Sequence, residues 1–453
     1  MSAAVDMTFK RACLSRIAGL EPIEADGRVC SVVGTMIEGE GIPAHIGSVC
    51  RVEPDDGAAS FEAEVVGFRD SRFLLMPLGD HQGVAPGARL RVAGRRSRVP
   101  RGDACLGRIL DGLGRPIDDG LPLDNAPTIS LYRAPESAVT RERVSQPLDL
   151  GVRAINSFCT VGRGMRLGIF AGSGVGKSTL LGQIARHTQA DVNVIALIGE
   201  RRREVRDFIE RDLGDALSRS VVIVSTSDEA PLLRVRAAHA ATAIAESFRD
   251  EGRSVLLMMD SVTRFCTALR EIGLASGEPP TTRGYTPSVF SQLPRLFERA
   301  GTSASGGSIT GIYTVLVEGD DLNEPVADAS RSLLDGHVAL SRRLAERGHF
   351  PSIDVLASVS RVMNDVASEG HIKLARTARE ALATYAEAED LISVGAYQSG
   401  SDARIDAARM LHEPLRHFLQ QEPANCTRLA EGLDALQQIV GGGAGEPAGG
   451  DAS

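Results

Sequence analysis

The chain has 453 residues, more than one hydrophobic core sustains, so roughly three domains are expected and a lone binding module is excluded. Apolar residues at 43% exclude disorder over most of the length, while 4% aromatics, no Trp and 48 glycines suit α/β layers joined by tight loops. A formal charge of −9 gives no overall attraction for a nucleic-acid backbone, and seven scattered cysteines without a CxxC pair exclude a disulfide framework or zinc site.

Residues 1–24 read as a short helix, with Phe9, Ala12, Cys13, Ile17 and Leu20 near helical spacing. It is expected either as a partner-binding arm or as a helix packed on its own domain. No run approaches the ~18 apolar residues of a membrane span, and the N-terminus has no secretory core, so a soluble protein of the reducing cytosol is expected. From 25 to about 100, β-rich runs at 28–36, 46–52, 63–68, 73–77 and 90–93 alternate with Gly, Pro and Asp turns and predict a small β-barrel domain. The basic stretch Arg91, Arg95, Arg96, Arg98, Arg101 has no interleaved aromatics to stack bases and reads as a solvated connector.

Over 101–350, strands predicted at 166–170, 192–198, 221–225, 255–260 and 309–317 alternate with helices, the pattern of a mostly parallel sheet covered on both faces. After about Phe350 the strands are expected to cease, leaving a helical domain over 351–440 and a flexible Gly-rich tail over 441–453. The histidines show no metal-ligand spacing.

The most specific motif is GIFAGSGVGKSTLL at 168–181, where an apolar strand enters a glycine-rich loop and then a helix starting near Lys177, the context of a phosphate-binding P-loop. Backbone amides of Gly172, Ser173, Gly174, Val175 and Gly176 are expected to converge on phosphate oxygens, continuing into Lys177, Ser178 and Thr179. Lys177 reaches the β and γ phosphates of ATP and the Ser178 hydroxyl ligates Mg²⁺; Ala171 replaces the first glycine of the strict pattern. The run VLLMMD places Asp260 at the carboxyl end of a strand as the second magnesium ligand. A further strand leads into Glu200, which is either a general base for the attacking water or a surface residue of the charged run 200–206.

Together with GERRREV (199–205), LLMMDSVTRF (256–265), TRGYTPSVFSQLPRLFERAG (282–301), YTVLVEGDDLNEPVAD (313–328) and PSIDVLASVSR (351–361), these motifs resemble the catalytic subunits of rotary ATP synthases. They resemble still more closely the ATPases of type III protein export in flagella and injectisomes, over about residues 25–420. The resemblance implies a β-barrel, a RecA-like P-loop ATPase domain and a helical end. It makes Glu200 the catalytic carboxylate, with Arg201 beside it and Arg264 oriented toward the same water; non-catalytic ring subunits typically carry Gln at that position. It sets Phe350 against the adenine and Tyr397 at the border of the base, and makes Arg361 an arginine finger inserted into a neighbouring subunit of a homohexamer.

Partners implied are a rotor-like stalk protein in the central channel, met by the loop between Pro279 and Pro294, and a stator-like regulator at the N-terminal arm. Export-gate membrane proteins and chaperone–substrate complexes complete the set, with the ring peripherally associated with the inner membrane. A hexameric RNA-dependent ATPase of the transcription-terminator kind is the alternative, disfavoured by the net charge and by a barrel whose only aromatics between 27 and 98 are Phe61, Phe68 and Phe73. A non-catalytic ring subunit is a third reading. Residues 391–402 look more flagellar and 353–363 more like injectisome versions, so the export system stays open.

Overall fold

The computed structural model describes residues 26–442 except 55–58, 95–97, 318, 320 and 322. The expected N-terminal arm, Arg95 and Arg96 of the basic stretch, and the tail beyond Gly442 lie outside the described residues. The chain divides into two compact units between Ser97 and Arg98.

The first unit is a closed six-stranded barrel of Asp26–Val33, Met36–Glu40, Val49–Glu53, Phe61–Arg69, Arg72–Pro77 and Arg89–Gly94, ordered first, second, fifth, fourth, third, sixth. Alternation sends Val29, Ile37, Cys50, Val52, Ala63, Val65, Phe73, Leu75 and Leu90 inward to form its core. At Gly39 a Cβ would lie 2.4 Å from the Phe73 ring and 2.5 Å from Leu90, so only glycine lets those two side chains fill the lumen. The run 28–36, expected as one strand, is two: Gly34 turns at φ 59 and the chain reverses into Met36–Glu40. That turn was masked by the strand-favouring residues on either side of it, Val33, Thr35 and Met36.

In the second unit one sheet runs, edge to edge, through Ile353–Ser360, Gly336–Leu340, Arg166–Ala171, Ser308–Leu316, Ser254–Asp260, Val192–Glu200, Ser220–Thr226 and Ile109–Asp111. From Gly336–Leu340 onward the pairings are parallel. All five strands expected here are present. Strands do not cease at Phe350, however: Ile353–Ser360 pairs antiparallel with Gly336–Leu340 as an edge strand. Its outward Leu356 and Val359 and its small Ala and Ser residues give no clean two-residue alternation to read.

Helices cover both faces, as the apolar strands require. Val194, Ala196 and Ile198 pack with Pro231–Asp250 and Val262–Ala275 on one face. The alternate residues Ile195 and Leu197 pack on the other with Lys177–His187 and with Leu411, Leu415 and Phe418 of the C-terminal helices. Those helices are Glu369–Ser393, Ala403–Leu419 and Leu429–Gly442, the last running two residues into the segment expected to be a flexible tail. A buried pair ties the first face together: the Arg299 guanidinium donates to both oxygens of Glu246, each at 2.8 Å.

Candidate active site

Parallel register brings the carboxyl ends of four central strands to one edge, because Arg166–Ala171, Ser308–Leu316, Ser254–Asp260 and Val192–Glu200 are consecutive neighbours. Loops leaving those ends build the site. After Ala171 the chain bends through Gly174 (φ 78) and Gly176 (φ 86), left-handed positions that glycine adopts without strain, and enters the helix Lys177–His187. Val175 is buried as a wedge beneath the loop, while Ser173, Gly174, Ser178 and Thr179 are exposed on its outer side. The helix N-terminus and the loop amides face the same way, a cradle for anionic oxygens.

The Lys177 ammonium stands between two carboxylates, 2.5 Å from Asp260 Oδ1 and 3.5 Å from Glu200 Oε1. Burial works to lower its pKa, but the two carboxylates outweigh it and hold it above the ordinary lysine range. Asp260 is buried, and its Oδ1 also accepts from the Thr314 hydroxyl at 2.7 Å. Glu200 is pushed up to about 7, first by burial and then by the charge on Asp260, with Lys177 opposing and a hydrogen bond with Glu204 adding to the rise. A carboxyl poised near neutrality is what general-base chemistry at pH 7 needs.

The other expected residues fall into two groups. Arg264 joins the site: Gly199, at φ 69, has room only for hydrogen where the Arg264 side chain crosses, 2.8 Å from the position of a Cβ. Phe350 joins it too, its half-exposed ring 3.5 Å from where a Cβ on Gly176 would lie. Arg201 stays at the surface, its side chain 82% exposed and paired at 3.5 Å with Glu204, the residue hydrogen-bonded to Glu200. Tyr397 has local partners, donating to the Asp402 carbonyl at 2.9 Å and the Asp406 carboxylate at 3.1 Å, with Arg409 over its ring. Arg361 is exposed at the end of the edge strand, its Nη2 donating to the Arg331 carbonyl at 3.3 Å. In the loop expected to face a channel, Tyr285 is buried against Phe290 with Arg270 over its ring, leaving Arg283 outward in a 3.0 Å ion pair with Asp321.

Three contributors went unforeseen. Thr314 fixes Asp260; it is one of several hydroxyl residues in the strand Ser308–Leu316, so nothing in the strand's own sequence singles it out. The Ser352 hydroxyl donates to the Val175 carbonyl at 2.6 Å, and the Gln421 amide donates to the Phe350 carbonyl at 2.9 Å. Together they strap the phosphate loop to the C-terminal helices, through contacts spanning 177 residues in the first case that no local pattern announces.

The family model described as "ATP synthase alpha/beta family, nucleotide-binding domain" matches residues 151–360, and "T3SS EscN ATPase C-terminal domain" matches 367–438. The flagellum-specific ATP synthase of Bacillus subtilis is 49% identical over 417 residues, 92% of this chain and 95% of that protein. The type 3 secretion system ATPase of Xanthomonas euvesicatoria is 48% identical over 415 residues, 91% of this chain and 94% of the relative. Among solved structures, the assembled ATPase EscN in complex with its central stalk EscO, from the enteropathogenic E. coli type III secretion system, superposes with a TM-score of 0.84 at 43% identity, covering 91% of this chain and 100% of that one. With a phosphate loop, a strand-end aspartate and a near-neutral glutamate in one cluster, and with relatives alike over nearly their whole length, the chain belongs to the ATP synthase alpha/beta family, in the branch of the flagellum-specific ATP synthases and type III secretion ATPases.

Proposed function

We propose that the chain hydrolyses ATP as one subunit of a homohexameric ring serving a type III protein export apparatus, coupling hydrolysis to chaperone release, unfolding and export of substrate proteins. The observation that carries the reading is Glu200 beside Lys177 and Asp260, raised to about 7, at the edge where the phosphate loop opens. Loop amides 172–176 and Lys177 hold the phosphates; Glu200 orients the attacking water and takes its proton; Arg264, fixed across Gly199, lies beside that water. Phe350 stacks on the adenine, and Tyr397 lies farther out at the border of the base.

The exposed Ser178 hydroxyl and the buried Asp260 carboxylate are oxygen donors of the kind Mg²⁺ takes when substrate phosphates and water complete its shell. Mg²⁺ held there neutralises phosphate charge. Arg361, exposed at a sheet edge, reaches the γ-phosphate of the next subunit's nucleotide, so turnover depends on the ring.

By analogy with the EscN–EscO complex, a stalk protein occupies the ring's channel against the loop 279–294, with Arg283 rather than the buried Tyr285 at its surface. A stator-like regulator at residues 1–24, export-gate membrane proteins and chaperone–substrate complexes are the further partners. No helix among the described residues is long and apolar enough to cross a membrane, so the ring meets the inner membrane through those partners. The test is phosphate release from ATP by the purified full chain: turnover abolished by Glu200→Gln is expected. Turnover that survives the substitution overturns the reading, and turnover that requires RNA at physiological salt replaces it with the nucleic-acid motor.

A further inference from the structure

A cavity of about 260 Å³ opens between the segment 341–349, the edge strand Ile353–Ser360 and the helices Glu369–Ser393 and Ala403–Leu419, on the far side of His349 from the phosphate loop. A neighbouring hollow at Ala171, Gly172 and Arg342 belongs to the nucleotide site already described. The first cavity is differently made. Its floor is apolar, from Ile353, Leu382 and Leu419. One wall is aromatic, a Tyr385–His412 pair stacked with centroids 3.5 Å apart and planes 9° from parallel. Its rim carries three guanidinium groups, Arg343, Arg347 and Arg416, against two carboxylates, Glu389 and Asp354.

Both acids are already engaged, and Glu389 offsets the two arginines beside it on the rim. Glu389 pairs with Arg347 at 3.1 Å and with Arg343 at 3.9 Å, and Asp354 Oδ1 accepts from the amides of Leu356 and Ala357, each at 3.0 Å. Arg416 turns to Glu413, an exposed residue one helical turn away. His349, also on the lining, is 6% exposed, yet its Nε2 has no hydrogen-bond partner among the described residues. A buried ring nitrogen without a partner costs stability unless something else bonds it. Burial and then the Arg416 charge lower the pKa of His349, so its ring is neutral at pH 7 and has one N–H to give.

From the apolar floor, the stacked Tyr385–His412 pair, the Arg416 guanidinium whose partner Glu413 is exposed to water, and the unpartnered buried imidazole, we infer that this cavity binds a small planar aromatic anion, its ring against the Tyr385–His412 pair and its acid group on Arg416 and His349 in place of Glu413. The site also communicates with the nucleotide. His349 and Phe350 are consecutive; one lines the cavity and the other lies on Gly176, with the Phe350 carbonyl held by Gln421 and Ser352, two residues on, bonded to the Val175 carbonyl of the loop. A ligand that fixes His349 therefore biases the position of Phe350, and by linkage a bound nucleotide changes the ligand's affinity by the same factor. This coupling rests on the nucleotide site proposed above, whereas the cavity itself does not.

Fluorine NMR of para-fluorobenzoate titrated with the full chain tests both. Saturable binding at one site per chain is expected, weakened about tenfold or more by Arg416→Ala, which removes the charged partner, and by Ala386→Trp, which fills the cavity. Neutral para-fluorobenzamide is expected to bind about tenfold more weakly than the acid. Equal binding by both variants, or by the amide and the acid, overturns the site; thermal melting shows that each variant is folded, and Arg416→Ala decides if Ala386→Trp is not. A non-hydrolysable ATP analogue is expected to shift the benzoate Kd in the wild type. An unchanged Kd while the analogue binds overturns the coupling, and an analogue that does not bind at all counts against the nucleotide site and leaves the cavity's ligand standing.

Discussion

The Lys177 ammonium lies 2.5 Å from the Asp260 carboxylate, so the lysine that follows the glycine-rich loop is held by the acid that ends a central strand. Both side chains are largely out of water, at 13% and 4% exposure, and each is the other's main counter-charge.

Asp260→Asn breaks that pair while keeping the shape. The buried Lys177 charge is then left with the more distant Glu200, and the folded protein is expected to lose about 3 kcal/mol in urea denaturation, within the range for breaking a buried pair. Hydrolysis is expected to fall about 100-fold or more at fixed Mg²⁺. A variant as stable as the wild type would falsify the assignment of this contact as the lysine's principal support.

Glu200 sets a pH dependence with a definite sign. A base must be deprotonated to act, so with its pKa at about 7 kcat/KM is expected to fall about tenfold per pH unit below that value. Glu204 raises Glu200 through their hydrogen bond, and Glu204→Ala is expected to move the acid limb to lower pH. Stability follows the same proton. The folded value lies above the unfolded 4.5, so the folded state binds more protons in between, and this group's contribution is full below 4.5 and lost as the pH rises through about 7. Glu200→Gln is expected to remove that loss, measured as a melting temperature that declines less than the wild type's between pH 5 and 8.

Mixed rings separate the roles of Glu200 and Arg361. Pure Glu200→Gln rings are expected to lose about 10²- to 10⁴-fold in kcat, and pure Arg361→Ala rings about 10³- to 10⁵-fold, with nucleotide binding retained in both. Rings containing both variants regain activity, because an intact Glu200 then meets an intact Arg361 across an interface. Phosphate-release assays on rings shown by mass spectrometry to be mixed check this; no recovery places Arg361 outside the neighbouring site.

Phe350 lies on Gly176 with its ring half exposed. Phe350→Ala is expected to weaken binding of a fluorescent adenine nucleotide by about 5- to 150-fold, the equivalent of about 1–3 kcal/mol for base stacking on an aromatic. Phe350→Tyr keeps the ring and is expected to stay close to the wild type.

Where structure is written in short-range chemistry, it was legible. Glycine spacing and the following Lys-Ser marked the phosphate loop, and apolar runs ending in Asp260 and Glu200 marked two strand ends that the parallel register then placed beside it. What escaped depended on distant partners. Arg201 stands next to Glu200 in the chain, yet the helix start at Arg202 carries its side chain outward, and Tyr285, in the loop expected to face a channel, is drawn into the core by Phe290 and Arg270. The edge strand after Phe350 was hidden because its exposed face is apolar, and the turn at Gly34 because strand-favouring residues flank it.

The strap from Ser352 through Phe350 to Gln421 is short and hydrogen-bonded at both ends. A connection of that kind has little slack. A tilt of the C-terminal helices reaches the loop 172–176 as displacement before it is dissipated as bending. The position of the loop 172–176 is thus set partly by where the helical end sits.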